Sequence, residues 1–210
     1  ETRMVWVRGW TKVVFFDTAD RKGEVERGFP GISHINRPII TPSGRQVVFI
    51  CFDDWGSYVV NWDGTGLRKL VEGRVTCVQR DAQGVERYYY QNRQNEFRVA
   101  SLTESGPGEV VLKLPTQPRE NKTENFQASA DGKCAGGGKP WPDVAFIRLP
   151  QKDGSDLVKV GSGCWPQMAR DNSYRMFWCT DGSHTRIQMY DGNTAKSWRM
   201  PFNPRGRGGG

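Results

Sequence analysis

PIITPSGRQVVFICFDDWGSYVVNWDGTGLRKL, residues 38–70, contains four short apolar runs separated by polar turns. The turns lie at residues 41–45, 53–57 and 63–64, and they contain proline, glycine, serine and aspartate. Runs rich in β-branched and aromatic residues that are bounded by such residues predict strands. The stretch therefore predicts a four-stranded antiparallel meander without a helix.

This unit recurs along the chain. Its first turn reappears near Gly84, Gly132 and Ser173, so that from Gly44 onward the intervals are 40, 48 and 41 residues. Its last hairpin recurs as well, at Asp20, Gly64, Gly106, Gly154 and Gly192. A period of about 40 to 45 residues with four short strands is typical of a propeller blade. The sequence predicts an all-β fold, a β-propeller of four-stranded antiparallel blades with four complete blades and one partial N-terminal blade.

The turn sequences resemble those of the TolB-type β-propeller repeat family. Its blades carry a Ser/Thr-Pro-Asp-Gly-Lys/Arg turn before a Val/Ile-Phe strand, and residues 41–45 with 47–49 match this pattern best. Residues 129–133 match next, whereas the turns near Gly84 and Asn172 depart from it. The resemblance covers nearly the whole chain. It implies a TolB-like six-bladed propeller of which this is a part, an extracytoplasmic location in the periplasm or at the cell surface, and protein partners in an envelope or surface assembly.

The pattern of turns defines the expected blades within a single domain, residues 1–203. They are a partial blade at 1–28 and complete blades at 35–70, 75–114, 126–160 and 164–200. The Gly/Arg-rich tail at 204–210 is expected to be disordered. Because the first blade lacks an innermost strand and the tail cannot supply it, we expect a longer natural chain with another blade.

Composition limits the class of protein. Apolar residues make up 36% of the chain and the mean hydropathy is -0.67, which suits thin layers buried between blades better than one dense core. No apolar run approaches the eighteen or so residues of a membrane-spanning helix, so no membrane span is predicted. The net charge of +7 is spread along the chain rather than gathered in a stripe, which argues against nucleic acid and favours an acidic partner.

Two of the five cysteines face each other in a predicted hairpin. A turn centred on residues 171–172 places Cys164 opposite Cys179, where a disulfide is feasible, although two reduced core thiols would fit equally well. Cys51, Cys77 and Cys134 are expected to be buried apolar residues. The sequence has no CxxC motif, so no zinc or haem cofactor is predicted.

Strand alternation places the loops after the second and fourth strands of every blade at one end of the sheets. These loops carry tryptophan, histidine and arginine, which are the residues of binding anchors. The candidate partner-binding residues are Arg8, Trp10, His34, Trp55, Arg74, Arg93, Trp141 and His184. The alternative is that the tryptophans seal the ends of the blades.

We predict a non-catalytic binding or scaffold module. No nucleophile elbow is present, and His34 and His184 lack a third metal ligand at a characteristic spacing. One alternative is a glycan-binding module in which the tryptophans stack on sugar rings. A second alternative is a glycoside-acting enzyme that uses Asp53, Asp143 or Asp181.

Overall fold

Short strands joined by tight turns build every described part of the protein. A computed structural model describes residues 2–104, 106–114, 124–138, 142–151, 157–180 and 184–200. These residues contain no helix, and their strands form one three-stranded sheet and four four-stranded antiparallel sheets. Accordingly, the described chain offers no helical segment with the length and apolar character needed to cross a membrane. The sheets confirm the predicted all-β class with one partial and four complete blades.

Each sheet is a meander in which every strand pairs with its neighbour in the chain. Blade 1 consists of β1 (Arg3–Arg8), β2 (Lys12–Asp17) and β3 (Glu24–Gly28). Blade 2 consists of β4 (Ile35–Ile40), β5 (Gln46–Cys51), β6 (Gly56–Asn61) and β7 (Arg68–Val71). Blade 3 consists of β8 (Arg74–Arg80), β9 (Glu86–Gln91), β10 (Glu96–Ser101) and β11 (Glu109–Lys113). Blade 4 consists of β12 (Glu124–Ala128), β13 (Cys134–Gly138), β14 (Asp143–Arg148) and β15 (Val158–Ser162). Blade 5 consists of β16 (Cys164–Met168), β17 (Arg175–Cys179), β18 (Ile187–Asp191) and β19 (Lys196–Met200).

Apolar side chains join neighbouring blades within the first of two compact units, Glu1–Glu109 and Val110–Gly210. In the first unit, one buried cluster places Phe15 of blade 1 with Ile35 and Phe49 of blade 2. A second cluster places Val48 of blade 2 with Tyr88 of blade 3. Because strand side chains alternate between two faces, blade 2 uses both faces of its second strand to contact its two neighbours.

The second unit has its own buried cluster between blades 4 and 5. Phe146 of blade 4 packs with Met176, Trp178 and Tyr190 of blade 5. Tyr174 also links the two blades, because its hydroxyl donates a hydrogen bond to Asp131 Oδ2 at 2.6 Å. The alternation of buried Met176 and Trp178 with half-exposed Phe177 shows which face of β17 lies in the core.

The recurring turn has the same hydrogen bonds in blades 2 and 4. Gly44 N donates to Thr41 O at 2.8 Å, and Gly132 N donates to Ser129 O at 3.0 Å. Both glycines have a positive φ, of 71° and 70°, which glycine adopts at little cost. These contacts explain why the turn sequence is repeated.

The turn of blade 5 differs from the expected pattern. The residue with positive φ is Tyr174 rather than Ser173. Ala169 N donates to Arg175 O, a connection one residue longer than that between Thr41 N and Gln46 O in blade 2. The additional residue shifts the left-handed position along the chain.

Candidate functional site

Equivalent hairpins in the first unit carry a residue in the left-handed conformation at the same end of blades 1, 2 and 3. These residues are Trp10, Trp55 and Asn95, with φ of 61°, 59° and 59°. The strand before each hairpin is β1, β5 or β9, so strand direction places all three at the end predicted for binding. Trp10 is 58% exposed, whereas Trp55 is half-buried.

Two arginines stack against Trp55. The guanidinium carbon of Arg74 lies 3.4 Å from the centre of the indole ring, and that of Arg93 lies 5.5 Å from it. Arg74 also lies 4.8 Å from the ring of Phe52. Distances below about 6 Å allow an attraction between the cation and the ring face. The stacking holds the Arg74 side chain at the start of β8 against the β5–β6 hairpin.

Positive charge is concentrated around Arg74. Burial lowers the pKa of its guanidinium, and repulsion from Arg37 and Arg93 lowers it further. The charged groups that shift the pKa of Arg74 are both guanidinium groups, with no carboxylate of the described residues among them. We call Arg37, Arg74 and Arg93, together with Trp55, the arginine cluster. The positive charges of the cluster repel one another, and a bound anion would reduce this repulsion. The cluster therefore favours the binding of an anionic ligand.

Two donors of the arginine cluster have no hydrogen-bond acceptor among the described residues. They are Arg74 Nε and Trp55 Nε1, and both atoms are buried. Buried polar groups in proteins are nearly always hydrogen-bonded, so such a pair requires an explanation. The close stacking of the Arg74 guanidinium on the Trp55 ring accounts for the burial of both atoms.

An ionic network fixes the hairpin that carries Trp55. Asp54 accepts hydrogen bonds from Tyr58 Oη at 2.6 Å and from Gly56 N at 2.9 Å, and it pairs with Lys69 Nζ at 2.8 Å. Burial would raise the pKa of Asp54, but these donors outweigh burial and lower it to about 2. Burial and the hydrogen bond to Asp54 raise the pKa of Tyr58 to about 12. Because Asp54 directly precedes Trp55 in the chain, the network also fixes the position of Trp55.

The variant Asp54→Asn is expected to reduce the free energy of unfolding by about 1 kcal/mol at pH 6. The shift in pKa alone suggests more, but the carboxylate is 35% exposed and water screens it. Because the pKa is lowered in the folded state, this stabilisation is present above about pH 4 and is lost as the pH falls toward 2. Urea unfolding of both proteins at several pH values should show a difference that vanishes near pH 2. A difference independent of pH would contradict the assignment.

The other candidates of the first unit are engaged with their own neighbours. His34 Nδ1 and Ser33 Oγ both hydrogen-bond to Asp53, and these contacts lower the pKa of that carboxyl. Arg8 pairs with Glu24 at 2.7 Å and with Glu26. The structure therefore brings together Trp55, Arg74 and Arg93 of the predicted residues, whereas Arg8 and His34 bind elsewhere at this end.

In the second unit, His184 stacks on Trp165. The ring centres lie 4.2 Å apart with planes inclined by 19°, and Trp165 is 58% exposed. Trp165 was not among the predicted partner-binding residues. Trp141 and Asp181 lie outside the described residues.

The cysteines of the second unit have the expected register. Cys164 of β16 lies directly opposite Cys179 of β17. Whether oxidation joins them stays a prediction. Cys51, Cys77 and Cys134 are buried, as predicted.

A metal site needs several histidine, cysteine, aspartate or glutamate side chains close together. Among the residues that can be described, no three or more His, Cys, Asp or Glu side chains come together as ligands. Asp143 pairs with Lys159 Nζ at 2.7 Å.

Solved structures with the same arrangement of blades are similar to this chain. The β-propeller domain of Cps50 (Swd1) from Myceliophthora thermophila matches with a TM-score of 0.61 and 14% identity over 90% of this chain. The chain has a β-propeller fold. Dihydro-heme d1 dehydrogenase NirN in complex with DHE matches with a TM-score of 0.60 and 13% identity over 96% of this chain. A protein of unknown function from Bacteroides caccae matches with a TM-score of 0.59 and 13% identity over 94%.

The chain spans only part of these propellers. It covers 61% of the Swd1 domain, 45% of NirN and 72% of the Bacteroides protein. No family model and no curated protein matches the sequence. At these identities the similarity shows the fold, and the function must be argued from the site.

Proposed function

We propose that this β-propeller is a non-catalytic module that binds an acidic segment of a partner protein through the arginine cluster and Trp10. The observation that carries the proposal is the stacking of Arg74 and Arg93 on Trp55, with no carboxylate of the described residues among the charges that shift the pKa of Arg74. Tryptophan and arginine are the residues most enriched at the energetic centres of protein interfaces. Trp10 adds an exposed aromatic anchor on the equivalent hairpin of the neighbouring blade.

The carboxylates at this end of the first unit support a binding role over catalysis. A glycosidase needs an acid whose pKa is raised so that it can donate a proton. The pKa values of Asp53 and Asp54 are instead both lowered, because each carboxylate accepts several hydrogen bonds. They are suited to hold loops in place.

The family and location belong to the same proposal. We infer a TolB-type propeller that works outside the cytoplasm in an envelope or surface assembly. The turn at residues 41–45 supports this inference, together with the positive net charge, which favours acidic surfaces.

The proposal is tested by selecting peptides that bind the chain. A random peptide library displayed on phage is panned against the immobilised protein, and acidic sequences are expected to be enriched. A selected peptide, made synthetically, should bind about tenfold more weakly to Arg93→Gln and to Trp10→Ala, because each change removes an exposed contact. Fluorescence anisotropy of the labelled peptide measures the loss of affinity. Added salt should also weaken binding to the unaltered chain, because it screens the attraction between charges.

A matched control comes from the opposite end of blade 2. Arg45 is exposed there, and Arg45→Gln makes the same change in charge as Arg93→Gln. The Arg45→Gln variant should bind the selected peptide as tightly as the unaltered chain does. Equal binding by all variants, or a selection without acidic sequences, would overturn the proposed site.

The second candidate function is glycan binding, favoured by the exposed Trp165 stacked on His184 in the second unit. Exposed indole rings offer an apolar face to sugar rings. Binding on a glycan array that is lost in Trp165→Ala and kept in Arg93→Gln would support this alternative over the arginine cluster.

A further inference from the structure

We propose that the arginine cluster recognises a phosphoryl group on a side chain of the partner protein. This inference rests on the proposed function and specifies the chemistry of its ligand. A phosphate monoester carries a charge of about -2 at pH 7 and three terminal acceptor oxygens. The cluster has features that match such a group better than a single carboxylate.

The first feature is the number of charges. The guanidinium carbons of Arg74 and Arg93 lie 3.4 Å and 5.5 Å from the centre of the same Trp55 ring, and repulsion from Arg37 as well as from Arg93 lowers the pKa of Arg74. A carboxylate would leave a net charge of +2 in the cluster, whereas a dianion would leave +1. The dianion therefore relieves more of the repulsion.

The second feature is that the three guanidinium groups come from separate segments of the chain. Arg37 lies in β4, Arg74 begins β8, and Arg93 lies in the hairpin between β9 and β10. Three separate segments thus each contribute one guanidinium, a planar group with several N–H donors. A tetrahedral phosphoryl group offers one terminal oxygen to each of three directions, whereas a carboxylate has two oxygens in one plane.

The third feature is the preorganisation of Arg74. Its guanidinium stacks at 3.4 Å on Trp55, which is itself next to the Asp54 network. Stacking leaves the edge of a guanidinium available for hydrogen bonds in its plane. Arg37 is placed by an irregularity in β4, where the register shifts between Asn36 and Ile39 and the φ of Arg37 is 48°. Such bulges redirect side chains, often near functional sites.

Three synthetic peptides and one salt test the inference on the full chain. The peptides consist of glycine and alanine around a central phosphoserine, glutamate or serine, and inorganic phosphate is titrated alone. Isothermal titration calorimetry at constant ionic strength should show the phosphoserine peptide binding at least about tenfold more tightly than the glutamate peptide. The serine peptide should not bind measurably. Inorganic phosphate should compete with the phosphoserine peptide.

Variants assign the binding to the cluster. Arg37→Gln and Arg93→Gln, both at exposed positions, should each weaken phosphopeptide binding about tenfold, while Arg45→Gln should leave it unchanged. Arg93→Lys should recover only part of the loss, because an ammonium group retains the charge but not the planar pair of donors. If inorganic phosphate bound to the chain but the phosphoserine peptide did not, the ligand would be a phosphate ion in solution, and the assignment to a protein side chain would be overturned.

The outcomes separate this inference from the proposed function. Equal binding of the phosphoserine and glutamate peptides, both lost in Arg93→Gln, would overturn phosphoryl recognition and leave the binding of acidic segments standing. Phosphopeptide binding that none of the arginine variants alters would overturn the site itself.

Discussion

Replacing Trp178 with alanine is expected to reduce the free energy of unfolding by about 3–5 kcal/mol. The side chain is 1% exposed and belongs to the apolar cluster between blades 4 and 5, where it packs with Phe146 and Met176. Its indole Nε1 also donates a hydrogen bond to Ser162 O at 3.2 Å. Alanine would leave a large cavity and an unsatisfied carbonyl. Urea unfolding followed by circular dichroism measures the change.

The control is Trp165→Ala in the same blade. Trp165 is 58% exposed, so its removal should change the free energy of unfolding by no more than about 0.5 kcal/mol. If both variants lost the same stability, the burial of Trp178 would not explain the effect.

Gly161 provides a second check on the packing of Trp178. A Cβ at this glycine would lie 2.5 Å from Cζ2 of the indole ring, so Gly161→Ala should destabilise the chain by about 1–3 kcal/mol. In the background of Trp178→Ala the added methyl group meets open space, and the same change should cost much less. A double-mutant cycle measures this coupling. Additive effects would contradict the contact.

The blades could be predicted from the sequence because their turns depend on local chemistry. The turn at residues 41–45 needs glycine at a left-handed position, and Gly44 has a φ of 71° there. Between β16 and β17 the pairing agrees with the expectation only in part: Cys164 lies opposite Cys179, but Gln167 lies opposite Phe177, one residue further than expected, and an irregularity between Cys164 and Gln167 separates the two registers. Where a turn was one residue longer, as at Tyr174, the local pattern failed.

The burial of individual tryptophans could not be predicted, because it depends on which face of a blade meets the next blade. Trp178 and Trp165 are both aromatic residues in strands of blade 5, yet one is buried and the other exposed. Packing between residues distant in sequence decides the difference.

The arginine cluster was predicted only in part. Strand alternation placed Trp55, Arg74 and Arg93 at one end of the blades, and the structure brings these three into contact. The role of Asp54 was missed, since its partners Tyr58 and Lys69 lie on two different strands. Arg37 was not among the predicted partner-binding residues, and it lies at a bulge that no sequence pattern marked.

Arg74→Met is expected to abolish peptide binding while it increases stability. Burial and two neighbouring guanidinium groups lower the pKa of Arg74, so the charged side chain is held at a cost when no ligand is bound. Methionine has a similar length, keeps contact with the Trp55 ring and carries no charge. The attraction between cation and ring that is lost is worth about 1 kcal/mol, less than burial and repulsion together cost. We expect the free energy of unfolding to rise by about 1 kcal/mol and the dissociation constant of the acidic peptide to rise about a hundredfold.

A rise in stability together with a loss of peptide binding distinguishes a binding residue from a structural one, because functional sites often retain groups that lower stability. The matched control is Arg68→Met in β7, where the guanidinium donates a hydrogen bond to Leu102 O at 2.7 Å. Loss of that bond should lower the free energy of unfolding by about 1 kcal/mol and leave peptide binding intact. A loss of stability in Arg74→Met as large as that in Arg68→Met would show that Arg74 serves the fold. Unchanged peptide binding in Arg74→Met would remove it from the site.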